Sequence, residues 1–76
     1  MDNAYLPRAD LKDAMMPQAS LRKATLSKAD LSEAILAGAD LSGTHLKEAD
    51  LIGVDLSAVR SLANADLRGC KLTKWE

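Results

Sequence analysis

A leucine stands at every fifth residue from 26 to 56 without a gap, and the beat carries through most of the chain. Extended backwards it meets Leu21, Met16, Leu11 and Leu6. Extended forwards, after one extra residue, it meets Leu62, Leu67 and Leu72, so every leucine falls on it. Two residues before each of these central positions but Leu62 stands a small side chain, from Ala4 and Ala9 through Ala39 and Ala49 to Ala65, with Thr44, Val54 and Cys70 in the same place. On an α-helix five residues advance about 500°, so the leucines would cover every side of the rod. On a flat strand they would point to opposite faces in turn. Alanine, leucine, lysine and glutamate favour helix, but a propensity spread of a few tenths of a kcal/mol per residue is outweighed by burial of a continuous apolar stripe.

The five-residue beat fits a chain that bends after each short extended piece. The central residue and the small one two before it then share the inward face by strand alternation, and the other three point outward or make the corner. If each corner turns through about a right angle, four units close one square coil. The next coil stacks on it at about 4.8 Å, the spacing of paired strands. No unit buries its apolar face alone; stacking makes the core.

The units Ala29-Asp30-Leu31-Ser32-Glu33, Ala39-Asp40-Leu41-Ser42-Gly43, Ala49-Asp50-Leu51-Ile52-Gly53 and Ala65-Asp66-Leu67-Arg68-Gly69 resemble the A-(D/N)-L-x-x repeats of pentapeptide repeat proteins. The resemblance runs from Ala4 to Lys74 and implies an all-β fold, a right-handed quadrilateral parallel β-helix. Fourteen repeats amount to about three and a half coils in a single domain, residues 1–76. The signal is specific for fold and unspecific for function, because one scaffold hosts unrelated roles.

Ten Lys and Arg stand against eleven Asp and Glu, for a net charge of −1, so no whole-molecule field favours nucleic acid, and direct binding to it is not expected. No apolar run approaches membrane-spanning length and no signal-peptide core opens the chain. The lone Cys70 forbids an internal disulfide, which makes a cytoplasmic location the expectation. Nucleophile–base pairs, phosphate-cradling glycine loops, metal-ligand sets and, in a filled column, a concave pocket are all missing from the pattern. An enzyme is therefore not expected, and no cofactor.

Twenty residues per coil sort the outward positions into four walls. The first carries Tyr5, Thr25, His45 and Asp66, with Arg8, Lys28, Lys47 and Arg68 at its corner. The second stacks Asp10, Asp30 and Asp50, flanked by Asp13 and Glu33. The third shows Met15 and Ile35 with Pro17 and Ala37, an outward apolar patch, since Met16 and Leu36 already fill the inward sites. The fourth has Ser20 and Asp40 beside Arg22, Lys23 and Ser42. Pro7 and Pro17 suit the corner of a turn, where φ is fixed and no N–H is needed. His45 could pair with Asp66 or be solvated, and it has no companions for a metal site. The hydroxyl of Thr44, at an inward site, needs a backbone acceptor. The slip between Leu56 and Leu62 calls for a bulge or loop near residues 59–61, with Arg60 swung outward.

Two functional readings follow. The acidic wall of Asp10, Asp13, Asp30, Glu33 and Asp50 suggests a DNA-mimicking binder of a type II topoisomerase (gyrase), because the resemblance extends to quinolone-resistance members proposed to act that way. An outward Asp is, however, also the family's ordinary turn residue. The leading reading is a structural or protein-interaction module that meets an unidentified protein partner through Met15, Ile35 and Trp75. Met1 to Asn3 offer no cap before Ala4, and little caps the far end except Trp75, placed to fold over it as a lid. The ends point to end-to-end self-association or to a module of a longer protein.

Overall fold

A computed structural model describes residues 1–72. Its extended pieces pair in parallel with the piece twenty residues on: Tyr5 with Thr25 and Thr25 with His45, Asp10 with Asp30 and Asp30 with Asp50, Met15 with Ile35, Ser20 with Asp40. Past the extra residue the offset becomes twenty-one, pairing Asp40 with Ser61 and His45 with Asp66. These series run along the four sets of outward positions sorted from the sequence. Each straight piece is little more than one paired residue long, so the described residues contain only two regular strands. They are β1, Asp50–Leu51, and β2, Lys71–Leu72, parallel and in register with Asp50 opposite Lys71. The molecule is a β-helix in which turns outnumber strands.

Corners are built alike. The fourth residue donates its N–H to the carbonyl of the first, as Ala24 does to Leu21 at 3.1 Å and Ala49 to Leu46 at 2.9 Å. The third residue has positive φ, 62° at Arg8, 61° at Lys28 and Glu48, and 82° at Gly53. That is the signature of a type II turn, and Pro7 and Pro17 occupy its second position. The third residue's N–H is then free to reach the neighbouring coil, as Lys28 N–H does to the Lys47 carbonyl at 2.9 Å.

Inward sites behave as the beat requires. Leu21, Leu26, Leu31, Leu41, Leu46 and Leu51 are buried together with Ala24, Ala29, Ala39 and Ala49. Toward the two ends Leu6, Leu11, Met16, Leu62 and Leu67 are only partly buried. Thr44 is fully buried, and its hydroxyl donates to the Leu21 carbonyl at 2.8 Å. Cys70, in the same kind of site, points its thiol at the Leu46 carbonyl at 2.8 Å. Its burial pushes the thiol pKa up.

Two features differ from the expectation. The repeat geometry starts at Met1, not Ala4: the Met1 ammonium donates to the Ser20 carbonyl, Ala4 N–H closes a turn onto the Met1 carbonyl, and Asn3 has φ 61°. Met1 thus occupies a central position that its missing small residue hid from the pattern. The slip is also longer than residues 59–61. A 3₁₀ turn, Leu56–Ala58, capped by the Asp55 carboxylate on Ser57 N–H, widens the corner. Arg60 N–H then donates to the Ala39 carbonyl while Leu41 N–H donates to Ser61, so two consecutive residues face Asp40. That is a β-bulge, and Arg60 is exposed, as its charge demands. The third-wall pairing does not continue from Ile35 to Asp55 among the described residues.

Candidate functional site

The interior is closed to chemistry. It is filled by leucine and alanine, and among the described residues no buried side-chain polar atom lacks a hydrogen-bond partner and no group of acidic, histidine or cysteine side chains could hold a metal. Function therefore has to lie on the outer walls and the ends.

On the third wall, Met15 and Ile35 form a bridge pair and expose 77% and 48% of their surface. Both are outside because the inward sites beside them belong to Met16 and Leu36. Pro17 and Ala37, at the adjoining corner, are exposed as well. The third candidate contact, Trp75, and the lid expected of it lie outside the described residues.

Asp10, Asp30 and Asp50 stack on the second wall as a bridged series. Their carboxylates turn toward the corner. Asp30 Oδ1 accepts Ser32 N–H at 3.0 Å and the Ser32 hydroxyl at 2.6 Å, Asp50 accepts Ile52 N–H at 3.0 Å, and Asp10 accepts Lys12 N–H at 3.3 Å. Asp40 and Asp66 do the same for Ser42 and Arg68. The rule has a counterpart: where the second turn residue is Pro7 or Pro17, with no N–H to satisfy, the wall residue is Tyr5 or Met15. The aspartates are thus Asx acceptors that finish turns. Hydrogen bonds from Ser32 hold the Asp30 carboxyl below its ordinary pKa, and those from Ser42 do so for Asp40. Asp13 and Glu33 stand instead at third turn positions, with φ 63° and 62°.

On the first wall Asp66 is lowered to about 2, chiefly by the Arg68 guanidinium, which meets it at 2.9 and 2.8 Å. His45 lies opposite Asp66 in the ladder but adds only the smallest of the lowering influences. The Asp–His pair expected as one option is therefore displaced by an Asp–Arg pair. Of the corner cations beside it, Lys28 reaches Glu48 at 3.9 Å, an exposed contact of little energetic weight.

The sequence pattern missed one surface feature. Along the fourth wall's corner runs an open cleft of about 520 Å³, bordered by Asp2, Arg22, Lys23 and Asn64 and floored by Ser42, Gly43 and Ala63. It arises because small residues succeed the long Arg22 and Lys23 in the same two columns, a signal present in the sequence once those columns are aligned. Asp2 closes its upper end, accepting Ser20 Oγ and pairing with Arg22 at 2.9 Å; these two, Ser20 foremost, lower its carboxyl pKa. Ser42 Oγ donates to the turn-capping Asp40 carboxylate at 2.6 Å, and with Asp2, Arg22, Lys23 and Asn64 around it the cleft has the elements of a small polar contact surface.

Residues 1–32 and 26–60 match the family model for pentapeptide repeats, in eight copies. The chain belongs to the pentapeptide repeat family. The family match stops where the bulge begins. Among solved structures, a pentapeptide repeat protein (Rfr23) from the cyanobacterium Cyanothece 51142 is similar over 100% of this chain at 32% identity and a TM-score of 0.72. This chain spans 50% of that one. A second pentapeptide repeat protein, alr5209 from Nostoc Pcc 7120, is similar over 95% of this chain and 79% of its own, at 28% identity and a TM-score of 0.56. No match was found among curated proteins. A right-handed β-helix is the fold these pentapeptide repeat relatives imply. Proteins of this family are generally non-enzymatic. Among the described residues no helix is long and apolar enough to cross a membrane.

Proposed function

We propose that this pentapeptide repeat protein is a non-enzymatic structural and protein-interaction module, one domain over residues 1–76, wound as a four-sided column of about three and a half coils. The four bridge series at twenty-residue spacing support that shape. The observation that carries the functional reading is the pairing of Met15 and Ile35, neighbours on one wall, both exposed and neither needed by the core. Isolated exposed apolar residues are common, but two aligned on a rigid ladder, next to the exposed Pro17 and Ala37, form a small flat surface that suits weak contact with an apolar patch on a partner. A cytoplasmic location and a protein partner belong to the same reading.

The gyrase-binding alternative ranks second. Its acidic wall is short, its net charge is near neutral, and Asp10, Asp30 and Asp50 already serve turn amides. The test combines two measurements. Met15→Glu with Ile35→Glu should abolish retention of the partner in a pull-down while the circular dichroism spectrum is unchanged; retention unaffected by both substitutions dismisses the third wall. Gyrase supercoiling assays with added protein should show neither inhibition nor protection, and either effect would restore the alternative.

A further inference from the structure

The coil that holds Ile35 and the coil below it, which holds Asp55, are joined along three walls and parted along the third. Each joined wall carries two ladder bonds. On the second, Asp50 N–H donates to the Ala29 carbonyl at 2.9 Å and Leu31 N–H to Asp50 at 2.8 Å; on the fourth, Arg60 N–H donates to Ala39 at 2.7 Å and Leu41 N–H to Ser61 at 2.9 Å. On the first, His45 N–H donates to Ala24 and Leu26 N–H to His45. The corresponding third-wall donors, Asp55 N–H and Leu36 N–H, have no partner, and neither has the Ala34 carbonyl. Yet Leu36 and Ala34 are each only 2% exposed. Buried backbone groups are rarely left unpaired, so the gap needs a local cause.

That cause is the next corner. Elsewhere among the described residues the third turn position holds glycine or a polar residue at positive φ, from Asn3 to Gly69. Ala58 alone is apolar there, and Ala58 alone lacks positive φ. Its corner is the 3₁₀ turn Leu56–Ala58. Such a corner differs from a type II turn chiefly by a flip of the peptide between the second and third positions, here Ser57–Ala58. The flip shows in the neighbouring coil: Gln18 N–H reaches the second-position carbonyl of Ala37, whereas Gly38 N–H takes the third-position carbonyl of Ala58 at 2.8 Å.

We infer that this corner is a latch on a built-in hinge. The two coils part along the third wall while the other walls stay paired. Turning the Ser57–Ala58 peptide over, with Ala58 at positive φ, closes the seam by giving Leu36 N–H and the Ala34 carbonyl their bonds to Asp55. Alanine biases the corner open, because its Cβ is strained at positive φ, and the extra residue that follows lets the chain regain register without the regular turn. Each opening uncovers Leu36 behind the exposed Ile35, so the corner sets how much apolar surface the third wall offers. That consequence rests on the third-wall reading above; the opening itself does not.

The test is residue-level hydrogen exchange, followed by NMR, on the 76-residue chain without any partner. Leu36 N–H should exchange at least about tenfold faster than Leu31 and Leu41 N–H, which lie between the same two coils in residues just as buried. Ala58→Gly and Ala58→Asn both accept positive φ, as Gly69 and Asn64 do at other corners. Each should slow Leu36 about tenfold and leave Leu31 nearly unchanged. Ala58→Val, which resists positive φ, should leave Leu36 fast. Leu36 protected as well as Leu31 in the unsubstituted chain overturns the proposal. So does a Leu36 rate that glycine and asparagine leave unaltered, or one that falls only in step with every other amide. A failed pull-down through Met15 and Ile35 would sink the third-wall reading without touching these rates.

Discussion

The wall aspartates show how one side chain can decide a turn. Each Asp two residues ahead of a second-position N–H accepts it, and Ser32, Ser42 and Ser57 add their hydroxyls to the same oxygens. Because Asp30, Asp40 and Asp66 are lowered in the folded chain from an ordinary value of 3.8, their contribution is fully present above that value and is lost as pH falls through the folded pKa values, near 2 for Asp66. Thermal unfolding midpoints should therefore be flat from neutral pH to about 5 and drop between about 4 and 2. Asp30→Asn and Asp66→Asn retain an oxygen for the turn N–H but carry no titrating charge, so the double variant should fold and lose part of the acid slope. An unchanged slope in circular dichroism melts would show that the turn carboxylates do not set the acid limit. At this scale the sequence was largely legible. Asp10, Asp30 and Asp50 were visible as a stack and as ordinary turn residues, and the bonds to Lys12, Ser32 and Ile52 N–H bear out the turn role, though which N–H each accepts depends on turn geometry that a list of walls does not contain. Asp2 was missed outright, because its unit lacks the small residue that marks the others.

An element in this molecule is a corner, and its rules can be used to improve one. Leu36, Ala37, Gly38 and Ala39 form a corner in the column headed by Met16, Pro17, Gln18 and Ala19. Ala37 is exposed, its N–H donates to nothing, and Ile35 before it offers no acceptor. The same turn position one coil above is already proline. Ala37→Pro should thus remove freedom only from the unfolded chain and stabilise by about 0.4–1 kcal/mol, read as a shift in the urea midpoint. Ser32→Pro is the control, since it deletes an N–H that Asp30 accepts, and it should destabilise. Equal effects of the two substitutions would refute the division of corners into amide-capped and amide-free. The bulge marks the limit of such reasoning. One surplus residue between Leu56 and Leu62 announced an irregularity, yet its spread from Asp55 to Ser61 follows from a 3₁₀ turn that widens the corner ahead of the extra residue.

For the whole molecule, the five-residue beat foretold which side chains are buried, because in a stacked column inward and outward are decided locally and repeated. It could not foretell how burial varies along the axis, since that depends on how many coils cover each leucine. Leu46 has a coil on both sides and is fully buried, whereas Leu6, in the first coil, is covered on one side and only partly buried. In a quasi-one-dimensional stack each unit's stability is its own plus its contacts with its neighbours. Leu46→Ala should therefore cost about 2–5 kcal/mol, as for a packed core leucine, and Leu6→Ala about half as much. The two changes should also differ in kind. A void at Leu46 lowers the midpoint of a single transition, because both flanking coils lose contacts, while a void at Leu6 loosens only the first coil, whose amides should exchange with solvent faster with little effect on those of Leu26 and Leu46. Urea titration with residue-level hydrogen exchange distinguishes these outcomes, and equal costs at both positions would mean that the column unfolds without regard to coil order.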